Sequence, residues 1–266
     1  MNGTDSCGSC GRPVLDASQA YCPVCGQATP TRRLDWTYLA HELQHSVLQM
    51  DRGLLYTLRE LMLRPGHLIR GYVEGRRARH VKPLVLVLTM AAILTIAAAL
   101  LNDGSVVGSS MSADFHAGAS NAADEAGTDS ARFAAAVQVL GDWFNRHLAL
   151  VTLLLLPFEA WAFKLAYRRF RHISYPEWLT ITAFLTAQAF VVWLVALLLQ
   201  HAVPRLDQLM APVIVLYNGF SLVQYFEGYP RWKSALRAAW GFAMYYLLSG
   251  LLMGVALVAI GVAMRQ

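Results

Sequence analysis

The chain has 266 residues, 56% hydrophobic and only 15% charged, against about 45–50% and about 25% in an ordinary soluble domain. With a mean hydropathy of +0.40, this excludes a disordered chain, a collagen and a cytosolic globule, and makes an all-α polytopic membrane protein the expected class. The net charge of +5 admits nucleic acid or an anionic membrane surface as partner.

Residues 1–30 are short, turn-prone and hold all four cysteines, Cys7-x-x-Cys10 and Cys22-x-x-Cys25, each pair followed by glycine. Two thiolates separated by two residues wrap one metal as a knuckle, and the glycine permits the tight turn. Two knuckles supply a tetrahedral sulfur shell, which suits a structural Zn²⁺ in a small zinc ribbon; the eleven-residue spacer is slightly short for such a unit. A mononuclear iron or iron–sulfur site is the alternative with the same ligands. Disulfides are disfavoured on a cytoplasmic side, and a redox pair needs a βαβ context that 30 residues do not hold. No cleavable signal peptide is visible over residues 1–33, so insertion is expected through an internal span.

Residues 31–82 are basic and amphipathic. Ten of the 22 Lys and Arg lie between Arg32 and Lys82. Leu39, Leu43, Val47, Met50, Leu54, Leu58 and Leu61 recur at helical steps, and Pro65-Gly66 interrupts them. The expected structure is a helix or helix pair lying on the cytoplasmic membrane surface against anionic headgroups. The alternative is a helical hairpin packed on cytoplasmic loops. Within the segment, His41-Glu42-Leu43-Gln44-His45 matches H-E-x-x-H, whose two histidines share a helix face and hold Zn²⁺ while the glutamate activates water. No third ligand is signalled beside it, so His41, Glu42 and His45 define the second functional reading, a membrane-bound metallopeptidase.

Five apolar stretches follow, at 83–102, 147–166, 178–200, 208–226 and 238–264, each near the ~20 residues that cross a bilayer. Residues 103–146 form a polar outer loop, of which 131–146 is expected to make an interfacial helix. Threading five spans puts every basic loop on one side. Residues 167–177 carry Arg168, Arg169 and Arg171, and residues 227–237 carry Arg231, Lys233 and Arg237. The opposite loop has six acids and two bases. The N-terminus is therefore expected in the cytoplasm and the C-terminus outside. The fourth span is the weakest, with Asn218 and Gln224 inside it.

Glu159 lies inside the second span, where an acid is a functional candidate because burying its charge is costly; Lys164 is a local partner or snorkels outward. It supports a third reading, a small-solute transporter. Asn218, Gln188 and Gln224 are expected to make interhelical hydrogen bonds. Gly250-x-x-x-Gly254 permits close helix approach, expected inside the chain, with a homo-oligomer as the alternative.

The order CxxCG, YCxxCGQ (Tyr21–Gln27), DRGLLYT (Asp51–Thr57), LRPG (Leu63–Gly66) and YVEGRR (Tyr72–Arg77), followed by a first span, resembles a bacterial family of membrane proteins, domain-of-unknown-function family 3667. The resemblance implies a zinc-ribbon-headed integral membrane protein of the bacterial inner membrane, and no reaction. Around Tyr175–Phe190 the chain departs from the family pattern of an acid followed by histidines: Glu177 keeps the acid, but Trp178 follows. The first functional expectation is thus a non-enzymatic membrane protein whose ribbon and basic segment engage a cytoplasmic protein partner or anionic lipid. Nucleic acid is disfavoured, since no interleaved basic and aromatic residues accompany Arg32 and Arg33.

Overall fold

The computed structural model describes residues 6–13, 20–29, 33–36, 53–101, 137, 139–200, 202–203 and 206–263. His41, Glu42 and His45, the first part of the amphipathic stripe and most of the outer loop lie outside these residues. The named helices are α1 (Leu54–Leu63), α2 (Pro65–Val73), α3 (Pro83–Leu101), α4 (Leu148–Ala166), α5 (Tyr175–Leu199), α6 (Leu206–Tyr225) and α7 (Arg231–Ala263). Of the expected interfacial helix, residues 139–146 are helical and lead into α4. Among the described residues there is no strand, only the isolated bridges Ser6–Pro13 and Tyr21–Ala28.

Helices α3, α4, α5 and α7 are long and apolar enough to cross a membrane. At about 1.5 Å per residue, the 19 residues of α3 and of α4 match the ~30 Å hydrocarbon layer. Helix α5 begins three residues before its apolar run because Ser174 caps it: the Ser174 side chain accepts from the Glu177 N–H, and the Glu177 carboxylate accepts from the Ser174 N–H at 2.6 Å. This reciprocal cap satisfies two otherwise orphaned donors. Helix α7 starts at Arg231, ahead of its apolar part, because its first two turns are charged and hydropathy does not register them. Where the fourth span is expected the chain forms helix α6, but its apolar stretch, Leu209–Tyr225, is shorter than those of the four helices long and apolar enough to cross.

Helix α5 is the centre of the bundle. It packs on α3, α4 and α6, while α7 packs on α4 and α6; Ile181, Ala183, Phe184, Leu185 and Ala187 of α5 are wholly buried. Helix α6 returns to the end from which α5 starts. There the α4–α5 and α6–α7 connections interlock through Phe226, whose ring lies 4.6 Å from Tyr167 and 4.4 Å from Phe170. Between the helices, Asn218 Nδ2 donates to the Leu185 carbonyl at 3.3 Å, Ser221 Oγ to Gln188 Oε1 at 3.1 Å, and the Gly66 N–H to Gln224 Oε1 at 3.2 Å. The three polar residues thus make the interhelical bonds expected of them.

Over its described part, the amphipathic segment departs from the expected surface-lying helix. Leu54, Leu58 and Leu61 face protein, and α2 buries Leu68, Ile69 and Tyr72 against α5 and α6. The physical reason lies in α2: Gly66 has no side chain, so the start of the helix sits directly on the backbone of α6, where an added Cβ would lie 2.6 Å from the Ser221 carbonyl oxygen. The apolar side chains left outward, Leu55 and Leu63, are off the stripe.

Candidate metal centre

The two knuckles have the same local geometry. The Cys7 N–H donates to the Arg12 carbonyl and the Gly11 N–H to the Cys7 carbonyl; Cys22, Gln27 and Gly26 repeat the pattern at the same distances, 2.7 and 2.8 Å. Gly11 and Gly26 close the turns at φ +73° and +72°, a left-handed conformation costly for other residues. An added Cβ would meet nothing within 4 Å at either, so backbone conformation, not crowding, requires glycine there.

The knuckles bring the four sulfurs within 4.8 Å of one another, an arrangement able to hold a metal ion. Cys7 Sγ lies 3.6 Å from Cys25 Sγ, and Cys10 Sγ 3.7 Å from Cys22 Sγ. Backbone N–H groups prepare the site for thiolates. Those of Cys25 and Val24 pull the Cys22 thiol down to about 6, and that of Cys10 lowers Cys7. The Gln27 N–H also acts on Cys25, but burial and the neighbouring thiols push that group up to about 12. Without a cation, adjacent sulfurs cannot all ionise.

The head is tied to the helical body by contacts the sequence did not reveal. The Arg77 N–H donates to Gln27 Oε1 at 3.2 Å, joining the last residue of YCxxCGQ to YVEGRR. Arg33 makes a forked pair with Glu177, Nε to Oε1 at 2.8 Å and Nη2 to Oε2 at 3.2 Å, and also donates to the His172 carbonyl. Trp36 lies 5.6 Å from Tyr175, ring to ring. The receiving surface is braced by Glu74, which accepts from Arg70 at 2.8 Å and Arg76 at 2.9 Å. Burial acts to raise Glu74, but these two guanidinium groups hold its carboxyl below the usual range. Thr57 Oγ1 accepts from the Val81 N–H at 2.9 Å, fastening α1 to the start of α3. Ser174-x-x-Glu177 has the spacing of a capping box, a local signal that could have placed the start of α5 and that the expected span at 178 missed; no local signal marks its long-range partner Arg33.

The remaining candidates lie apart. Glu159 is buried in α4 and accepts from Thr186 Oγ1 of α5 at 3.1 Å. Lys164 is directed elsewhere, with Nζ 5.6 Å from the centre of the Tyr175 ring. The close approach expected inside the chain at Gly250 and Gly254 does not occur: an added Cβ at either meets nothing within 4 Å among the described residues.

No curated protein and no solved structure gives a significant match to the chain. Residues 51–95, whose described part runs from α1 into α3 and includes Arg77, match the model of a family described as a protein of unknown function (DUF3667), the family that the DRGLLYT, LRPG and YVEGRR motifs resemble.

Proposed function

We propose that the chain is an integral protein of a bacterial inner membrane with a non-enzymatic role. Its N-terminal head is a structural zinc ribbon that binds a cytoplasmic protein, and the DUF3667 segment holds that head against the bundle. The observation that carries this reading is the donor set: the head supplies all four cysteine ligands, so a bound tetrahedral ion keeps no open position for catalysis. Zinc fits these sulfurs. A Zn–S bond of about 2.3 Å implies tetrahedral S···S edges of about 3.8 Å, close to the 3.6 and 3.7 Å found.

The partner surface is the second knuckle, which leaves Tyr21 67% and Val24 59% exposed beside the metal cysteines. An aromatic and a branched apolar side chain held rigidly by a metal-closed turn form a small recognition surface. The basic loops at the α4–α5 and α6–α7 turns support a cytoplasmic position for this end, where anionic headgroups are further contacts. Helix α6 is taken as a further crossing, fourth in chain order and bringing the total to five, because it returns to the end where α5 begins.

A photo-crosslinking residue at Val24 of the full chain tests this in cells. A discrete protein adduct that disappears on chelation supports the reading. It is overturned by the absence of an adduct, or by two metal ions per chain together with a proteolytic phenotype abolished by Glu42→Gln.

A further inference from the structure

The α4–α5 turn and the start of α7 bring four guanidinium groups to one place. Arg168, Arg169, Arg171 and Arg237 line a recess of about 380 Å³. The ion pairs found among the described residues involve Arg33, His67, Arg70 and Arg76, and none of these four arginines. Like charges gathered without a carboxylate repel one another, and a bound anion relieves the repulsion.

Arg237 is already held in place. Its Nη1 donates to the Ala166 carbonyl at 3.0 Å and its Nε to the Tyr229 hydroxyl at 3.2 Å, which fixes the plane of a fork suited to phosphate. A second feature adjoins the recess. Arg168 and Arg237 also line a groove of about 730 Å³ between the end of α4 and the beginning of α7, walled by Leu165, Trp232, Leu236, Trp240 and Leu247. Trp232, Leu236, Trp240 and Leu247 are each more than 60% exposed. A free phosphate has no use for such a wall. An amphiphile with an anionic head and an acyl chain uses both parts, and paired indoles suit the level at which headgroups give way to hydrocarbon.

We propose that Arg168, Arg169, Arg171 and Arg237 form a headgroup site for an anionic phospholipid, with an acyl chain lying along the Leu165–Leu247 groove. This is a defined site, distinct from diffuse attraction to the basic collar before α3. It rests on the reading of α4 and α7 as membrane-crossing helices, which is checked separately by whether detergent is needed to extract the chain from the membrane fraction.

The test is native mass spectrometry of the full chain released from micelles doped with phosphatidylglycerol or with phosphatidylcholine. The unaltered chain is expected to retain phosphatidylglycerol over phosphatidylcholine by about tenfold. The triple variant Arg168→Gln, Arg169→Gln, Arg171→Gln should lose that preference. A charge-matched control, Arg59→Gln, Arg64→Gln, Arg79→Gln, should keep it, and Trp240→Ala should weaken retention while the thermal midpoint stays constant. Equal retention of the two lipids, equal loss in the charge-matched control, or full displacement by inorganic phosphate would each overturn the assignment. Extraction without detergent would instead overturn the membrane reading beneath it.

Discussion

A methyl group at Gly66 would lie 2.2 Å from Gln224 Cβ, 2.6 Å from the Ser221 carbonyl oxygen and 2.6 Å from the Tyr225 nitrogen. Two of these are α6 backbone atoms and the third is fixed to that backbone, so no rotamer change makes room. Gly66→Ala should therefore destabilise the fold by roughly 1–3 kcal/mol, the usual range for overpacking, and lower the thermal midpoint in detergent. Gly250→Ala, which meets nothing within 4 Å, should leave it unchanged. An unaltered midpoint for Gly66→Ala would refute the packing of α2 on α6. A second residue carries a pH dependence. Burial lowers the pKa of His80, against a weaker opposing pull from Glu60; its ring stacks on Tyr56 at 5.5 Å, and its Nδ1 has no hydrogen-bond partner among the described residues. An unfolded chain takes up this proton near pH ~6.5, and the folded chain only at lower pH. The contribution is fully present above that value and is lost as pH falls through it toward the folded pKa. His80→Phe keeps the stack without the titration, so it should flatten part of the fall in midpoint between about pH 7.5 and pH 5.5; an unchanged slope would remove His80 as its source.

At the scale of the element, α6 carries the most information about topology. It starts after the α5–α6 turn and ends beside the α4–α5 connection, through Tyr225 and Phe226. If it crosses, the turn before it and the turn after it face opposite compartments. A single cysteine in place of exposed Val203 should react with a membrane-impermeant maleimide in intact cells, and one in place of exposed Arg231 should react only after lysis. Labelling of both in intact cells would reduce the crossings to four. The long helices were legible in the sequence because each is apolar on all sides, a signal that needs no partner. Their starts were less so: α5 begins at a polar cap and α7 in two charged turns. Periodicity gave the stripe of Leu54, Leu58 and Leu61 but not what covers it, since a helix face prepared for lipid and one prepared for α5 and α6 have the same spacing.

For the whole molecule, the cysteine head and the helical body differ in what can hold them folded. The two knuckles bury little besides Cys7 and Cys22, so in the proposed reading a bound metal would supply most of the folding free energy of the head. The body buries a continuous core from α1 to α7. The clustering of the four cysteines was readable because knuckle spacing is local. The joint was not, because Gln27 and Arg77 are 50 residues apart and Arg33 and Glu177 are 144 apart, with no periodicity connecting them. Those few bonds hold the head in place but do not fold it. The purified chain should therefore yield one metal equivalent, and a strong chelator should remove it. Protease should then cut within about the first 35 residues while residues 53–263 survive as a helical fragment with nearly the original thermal midpoint. Arg33→Gln should loosen the joint without emptying the site, so that cleavage between head and body quickens while the metal equivalent stays at one. If chelation left the head resistant, the metal would not be what folds it. If chelation melted the body as well, the division between a metal-folded head and a self-supporting bundle would fail.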